Sequence, residues 1–258
     1  MARQLENIEL VYINIDHFPQ DPSTHYPVVL ANSIAGDGDA IKEKLVDIYL
    51  TAFYAHNLPD WDKFNEALLQ FNVKYFPAEQ PDEKEEAEFS LDFRVKDATA
   101  PGGFLHRRIF KDVKIDDELE LKLKLDEVDK KADIDNLTAI VTKTSIAEHL
   151  NLSAAKEYIK LGTDIYNAVA ELTLKDDPIW NEVSVVLQRN YLSGGAAALK
   201  QGKYAIIATS DTKGKNLRYW NEAYENVTAK GKHLYVSTEG KQTRLKSNYL
   251  IFELDFHD

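Results

Sequence analysis

Five acids crowd into one short stretch: Asp126, Glu127, Asp129, Asp133 and Asp135. Carboxylate oxygens closely spaced on a loop suit a hard cation such as Ca2+, which takes about six to eight of them. Asp126, Asp129, Asp133 and Asp135 are therefore the candidate metal ligands. Asp16 and the Asp37-Gly38-Asp39 turn would add oxygens if strand ends converge there. Lys130 and Lys131 interrupt the cluster and oppose a dense cation site. The other reading of the same residues is a solvated acidic loop leading into a helix, with no cofactor.

A second group is basic and aromatic. Between Lys200 and Lys246 there are ten Lys/Arg against four Asp/Glu, a local balance of +6, in a chain whose net charge is −12. The remainder therefore carries −18. A whole protein so acidic disfavours non-specific contact with nucleic acid or anionic membrane, but a basic face on it does not. Arg218, Tyr219, Trp220, Tyr224 and Tyr235 are the candidate partner-binding residues. Tyr, Trp and Arg are the favoured anchors of protein interfaces, so a protein partner or self-association is expected. Rings beside cations also suit anionic lipid or single-stranded nucleic acid across residues 200–246. The same residue types are ordinary in strands, where lysines guard edges and hairpin turns.

Signatures of catalysis are absent from the sequence. Ser153 and Lys156 have the Ser-x-x-Lys spacing of penicillin-recognising enzymes, yet neither Ser-Asp-Asn nor Lys-Thr-Gly occurs. Gly36-Asp37-Gly38 lacks the third glycine of a dinucleotide loop, and there is no phosphate-binding loop. The seven histidines are scattered without ligand spacing; only His17 and His25 flank one loop and could meet near Asp16. With no cysteine, disulfides, thiolate nucleophiles and Cys-based zinc sites are excluded.

The elements that must position these residues are mostly strands. Leu119–Val128 alternates strictly, with Leu119, Leu121, Leu123 and Leu125 on one side and Glu120, Lys122, Lys124 and Asp126 on the other. Ile8–Phe18, Tyr26–Ile34, Phe71–Phe76, Phe89–Lys96, Phe104–Ile115, Pro178–Gln188, Lys203–Thr209, Leu217–Val227 and His233–Thr238 are further strands. Lys230-Gly231-Lys232 marks a hairpin turn. Asn248–His257 is so apolar that it must pair inside a sheet. Pro77–Glu88, with six acids and two prolines, reads as an exposed loop.

Helical spacing predicts a central helix near 145–172. Ala155, Tyr158, Ile159, Gly162, Tyr166 and Val169 form one stripe, and Ser145 with Glu148 forms a capping box. Residues 40–56 read as a helix on the face Leu45, Ile48, Tyr49, Ala52 and Phe53, with a strand as the alternative, and Asp60–Gln70 as a short helix. Without a βαβ rhythm, the fold expected is a mainly antiparallel β-sandwich with helical insertions. It would be a single domain over 1–258, or two subdomains, 1–143 and 173–258, joined by helix 144–172.

A strand followed by clustered aspartates in a loop of a β-sandwich resembles the calcium-binding loops of C2 domains. The resemblance covers residues 126–135, and a long central helix departs from it. It implies a Ca2+-dependent module recruited to membranes or partners. The residues themselves point first to a non-catalytic binding, adaptor or structural subunit acting through surfaces within an assembly. A hydrolase with an unrecognised site is the third expectation. No apolar signal-peptide core or bilayer-length run is present in the sequence, from which a cytoplasmic location is expected.

Overall fold

Period-two alternation builds nearly everything seen. The computed structural model describes residues 8–13, 25–56, 65–75, 85–95, 107–115, 117–127, 178–190, 197–208, 227–238 and 240–258. These form β1 (Ile8–Ile13), β2 (Tyr26–Leu30), β3 (Leu45–Tyr54), β4 (Asn65–Tyr75), β5 (Glu85–Val95), β6 (Arg107–Lys114) and β7 (Glu118–Glu127). Then follow β8 (Pro178–Gln188), β9 (Ala197–Ala198), β10 (Gly202–Ala208), β11 (Val227–Lys230), β12 (His233–Thr238), β13 (Lys241–Arg244) and β14 (Tyr249–His257).

Two sheets result. One has nine strands in the order β13-β12-β11-β2-β1-β10-β14-β3-β6; the other has five, β5-β4-β7-β8-β9. Every pairing is antiparallel except the two-residue contact of β8 with β9. The antiparallel β expectation holds. The alternating leucines of β7 are all fully buried, and Val183, Val185 and Leu187 of β8 line up beside them. The hairpin turn at Gly231 joins β11 to β12, pairing Lys230 with His233.

The facing sides of the two sheets share one core. Phe71 of the small sheet meets Phe252 of the large one edge-on, with ring centroids 6.3 Å apart. Leu69, Val73 and the β7 leucines join Ile48, Leu50, Ile206, Leu250 and Leu254 in the same cluster. A second core lies on the back of the nine-stranded sheet, where Val11, Ile13, Ala205, Ile207, Tyr249 and Ile251 meet Val227, Ala229 and Leu234. Leu234 lies on β12, with four strands between it and β14 in the ladder, yet its N–H donates to Tyr249 Oη at 3.2 Å. The sheet therefore curls until its β12 end closes over its own back.

Of the expected helical insertions, those over 40–56 and 60–70 are strand where the structure describes them, apart from one short turn. Among the described residues the sole helical element is a 3-10 turn at Gly38–Ile41. Residues 45–54 are strand β3, not helix. The ladder of β14 slips between Ile251 and Phe252, where Thr51 is the unopposed residue of β3. Val46, Ile48 and Leu50 face the shared core before Thr51; after it, Phe53 and Ala55 do, while Ala52 and Tyr54 face the second core. That half-step puts one spacing of three into each row, and with apolar residues on both faces the two rows together imitate a helix stripe. The segment 65–70, read as the end of a short helix, begins β4 instead, since Leu69, Phe71 and Val73 continue one alternating, fully buried row. β5 begins at Glu85, inside the span read as an acidic loop. The central helix near 145–172 lies outside the described residues.

Where the two sheets are joined, Gly36 is needed for space. A Cβ there would stand 2.7 Å from the Arg189 carbonyl oxygen and 3.1 Å from that of Leu199. Around it, buried Arg189 binds the Asp117 carboxylate through Nε and Nη2, and Asp37 N–H donates to Leu199 O at 3.2 Å.

Candidate functional site

On β14 one parity feeds the shared core, and the other changes character along the strand. Tyr249 and Ile251 are apolar and buried, whereas Glu253, Asp255 and His257 are polar and half-buried. The back of the nine-stranded sheet thus has an apolar half, covered by its own curl, and a polar half. Asp47 and Tyr49 of β3 lie in the polar half beside Asp255 and His257 of β14. Arg108 and Asp112 reach it from β6, and Lys203 of β10 pairs with Glu253 at 3.6 Å.

Asp47 is the centre of this patch. Its side chain is only 6% exposed. The ladder between β3 and β6 slips there: Val46 faces Val113 and Ile48 faces Phe110, so Lys111 and Asp112 share the span of Asp47. Asp112 takes φ 52°, the left-handed region that Asp tolerates better than most residues. Its backbone N–H consequently turns onto Asp47 Oδ1 at 2.9 Å. Arg108 Nη1 donates to Oδ2 at 2.9 Å, and Tyr49 Oη donates to the same oxygen at 3.2 Å. His257 Nε2 lies 3.4 Å from Asp47 Oδ1 and 3.4 Å from Asp112 Oδ1. Its other ring nitrogen, Nδ1, lies 3.3 Å from the Asp258 carbonyl oxygen.

The electrostatics follow from these contacts. Burial alone would raise the Asp47 carboxyl, but the Asp112 N–H, Arg108 and His257 outweigh it and hold the group below its ordinary value. The Asp258 carbonyl, Asp47 and Asp112 hold the His257 imidazole above its ordinary value, against a smaller cost of desolvation. One buried and one exposed carboxylate thus face one guanidinium and one imidazole.

Asp47, Asp112 and His257 each bring a ligand atom within 4.8 Å of the others, close enough to share a metal ion. The donor set does not fit one. Both Asp47 oxygens are already occupied by N–H and O–H donors, and the Arg108 guanidinium, bonded to one of them, repels a second cation. Nor is it a nucleophile-and-base pair, because both imidazole nitrogens face oxygens that accept. What the arrangement does well is clasp three neighbouring strands, β14, β3 and β6, at one point.

A second cluster sits at the curled end. Tyr54 stacks on Tyr249 with centroids 5.1 Å apart, the His233 ring meets Tyr54 edge-on at 5.9 Å, and the Arg244 guanidinium lies 5.5 Å over Tyr54. Burial, then Arg244 and Lys232, push the His233 imidazole below its ordinary value. Lys230, Lys232, Lys241 and Lys246 gather around the same hairpin and have no acidic partner among the described residues.

Of the residues singled out in the sequence, Asp126 stands within β7, opposite Leu68 and Pro178, in the strand expected over 119–128. Asp129, Asp133 and Asp135 lie outside the described residues, as do Arg218, Tyr219, Trp220 and Tyr224. Tyr235 lies on β12, paired with Thr228 and Arg244, its ring edge-on to His25 at 5.2 Å. His25 Nδ1 is 3.0 Å from Thr228 Oγ1; His17 is outside the described residues. Asp47, Arg108, Asp112 and His257 escaped the sequence reading because 61 to 210 residues separate the partners. The one legible signal was the switch from apolar to polar on one parity of β14. No protein-family model matches the chain, and no curated protein and no solved structure matches it significantly.

Proposed function

We propose that this chain is a non-catalytic binding or structural subunit that works through its surfaces within an assembly. The observation that carries the reading is the edge strand β13. All four of its side chains are exposed, it pairs only with β12 among the described residues, and unpartnered lysines surround it. An open strand edge offers a row of unsatisfied N–H and C=O groups, and edge addition of a partner strand satisfies them. The strongest charge cluster supports the same reading, since its groups are spent on joining strands. Anionic lipid and single-stranded nucleic acid are alternative takers of the same positive charge.

The test is the native size of the protein in extracts of its own cells. A subunit elutes well above its 29.4 kDa monomer mass, and Lys241→Glu with Arg244→Glu returns it to monomer size. A wild-type chain that elutes as a monomer, while binding vesicles of anionic lipid or an oligonucleotide in purified form, would replace this reading by the corresponding alternative.

A further inference from the structure

Three of the four edge strands carry charge, basic on the large sheet and acidic on the small one; the fourth, β9, is Ala197–Ala198 and carries none. Both ends of the nine-stranded sheet are basic: β13 holds Lys241 and Arg244, and β6 holds Arg107, Arg108, Lys111 and Lys114 against Asp112 alone. The five-stranded sheet ends in β5, which holds Glu85, Glu86, Glu88 and Asp92 against Arg94 alone. β5 pairs with β4 along its whole length, Glu85 opposite Tyr75 through Val95 opposite Asn65. Its other edge has no ladder among the described residues.

The geometry points to a head-to-tail association in which the basic edge strand β13 of one copy adds to the acidic edge strand β5 of the next. This rests on the reading of the chain as an assembly subunit and names its partner as a second copy. Three arguments support it. Opposite charge draws β13 to β5 and speeds their encounter. Like charge keeps β5 from β5 and β13 from β13, so a two-fold dimer through either edge is penalised and only the heterologous pairing is left. Of the two basic edges β13 is the open one. β6 is bent by two slips in its ladder, and Arg108 is committed to Asp47. Around β13, by contrast, Lys230, Lys232 and Lys246 add positive charge with no acid to offset it among the described residues.

Sedimentation velocity on the purified full chain tests this with a charge swap. Wild type is expected to form species larger than a monomer as concentration rises, weakening at least about tenfold between low salt and half-molar salt. Lys241→Glu/Arg244→Glu, and separately Glu86→Lys/Glu88→Lys, should each stay monomeric with an unchanged circular-dichroism spectrum. Mixed one to one, the two variants should assemble again, because each restores an opposite-sign pair for the other. Wild type that stays monomeric at low salt and high concentration, variants that associate as wild type does, or a mixture that stays monomeric would each overturn the proposal. A monomeric purified protein that still elutes as a large, β13-dependent complex from cell extracts would overturn self-association and leave the subunit reading standing.

Discussion

At the scale of single residues, the Asp47 cluster is a clasp whose strength depends on two protons. Asp47 has a depressed value, so its contribution is present above the unfolded carboxylate value of about 3.9 and is lost as pH falls through the lower folded value. His257 has a raised value, so its contribution is complete below the unfolded imidazole value of about 6.5 and is lost as pH rises through the higher folded value. The facing groups are Asp47 from β3, Asp112 from β6 and the Asp258 carbonyl, with Arg108 and Tyr49 on the far oxygen of Asp47. The clasp should therefore be fullest between about pH 4 and pH 6.5. Urea unfolding across pH 3 to 9 checks this: His257→Gln should flatten the alkaline decline attributable to the clasp, and Asp47→Asn the acid one. Asp47→Asn should also cost about 1–3 kcal/mol at pH 6, because Arg108 and the Asp112 N–H lose a charged acceptor. An unchanged pH profile in both variants would mean that the charges of the cluster add nothing to stability.

At the scale of elements, the junction at Gly36 makes a sharp demand. Gly36→Ala places a methyl carbon against two backbone carbonyls that cannot rotate away, so the 36–39 turn, Arg189 and Leu199 must shift together. The expected loss is about 1–3 kcal/mol, read as a lower urea midpoint at constant slope. Legibility also differs element by element. β7, β14 and the β11–β12 turn could be read directly: β7 by its unbroken alternation, β14 by its apolar run and the turn by Lys230-Gly231-Lys232. β3 could not, because both of its faces carry apolar residues and Thr51 shifts their rows by one, so Leu45, Ile48, Tyr49, Ala52 and Phe53 together take the spacing of a helix face. The start of β5 was hidden by Glu85, Glu86 and Glu88, whose charge reads as loop when strand pairing with β4 is unknown. The clasp was invisible for a different reason: its residues come from three strands far apart in the chain, and only register brings them together. The basic hairpin was legible as composition; its place on an edge strand was not.

At the scale of the whole molecule, β14 serves two cores at once. Phe252 points into the core between the sheets, and Ile251, its neighbour, into the one on the back. Phe252→Ala should cost about 3–5 kcal/mol and Ile251→Ala about 2–5 kcal/mol. Because one strand backs both cores, each variant should move a single thermal transition rather than split it in two, which calorimetry resolves. Both sheets mix strands from before residue 143 and after residue 173, which favours one cooperative event over two.

The position of β14 also bears on how the chain comes off the ribosome. β14 lies between β10 and β3, its partners at residues 202–208 and 45–54, and is itself made of residues 249–257. Until residues 249–257 are made, the strands from β13 to β10 and the pair β3–β6 are two separate pieces, each with a bare, apolar flank. Before that point the nine-stranded sheet cannot close. Contacts that span some 200 positions in the chain also make that closure slow. A chain cut before Tyr249 should accordingly bind chaperones or aggregate, and restoring Tyr249–His257 should reverse this.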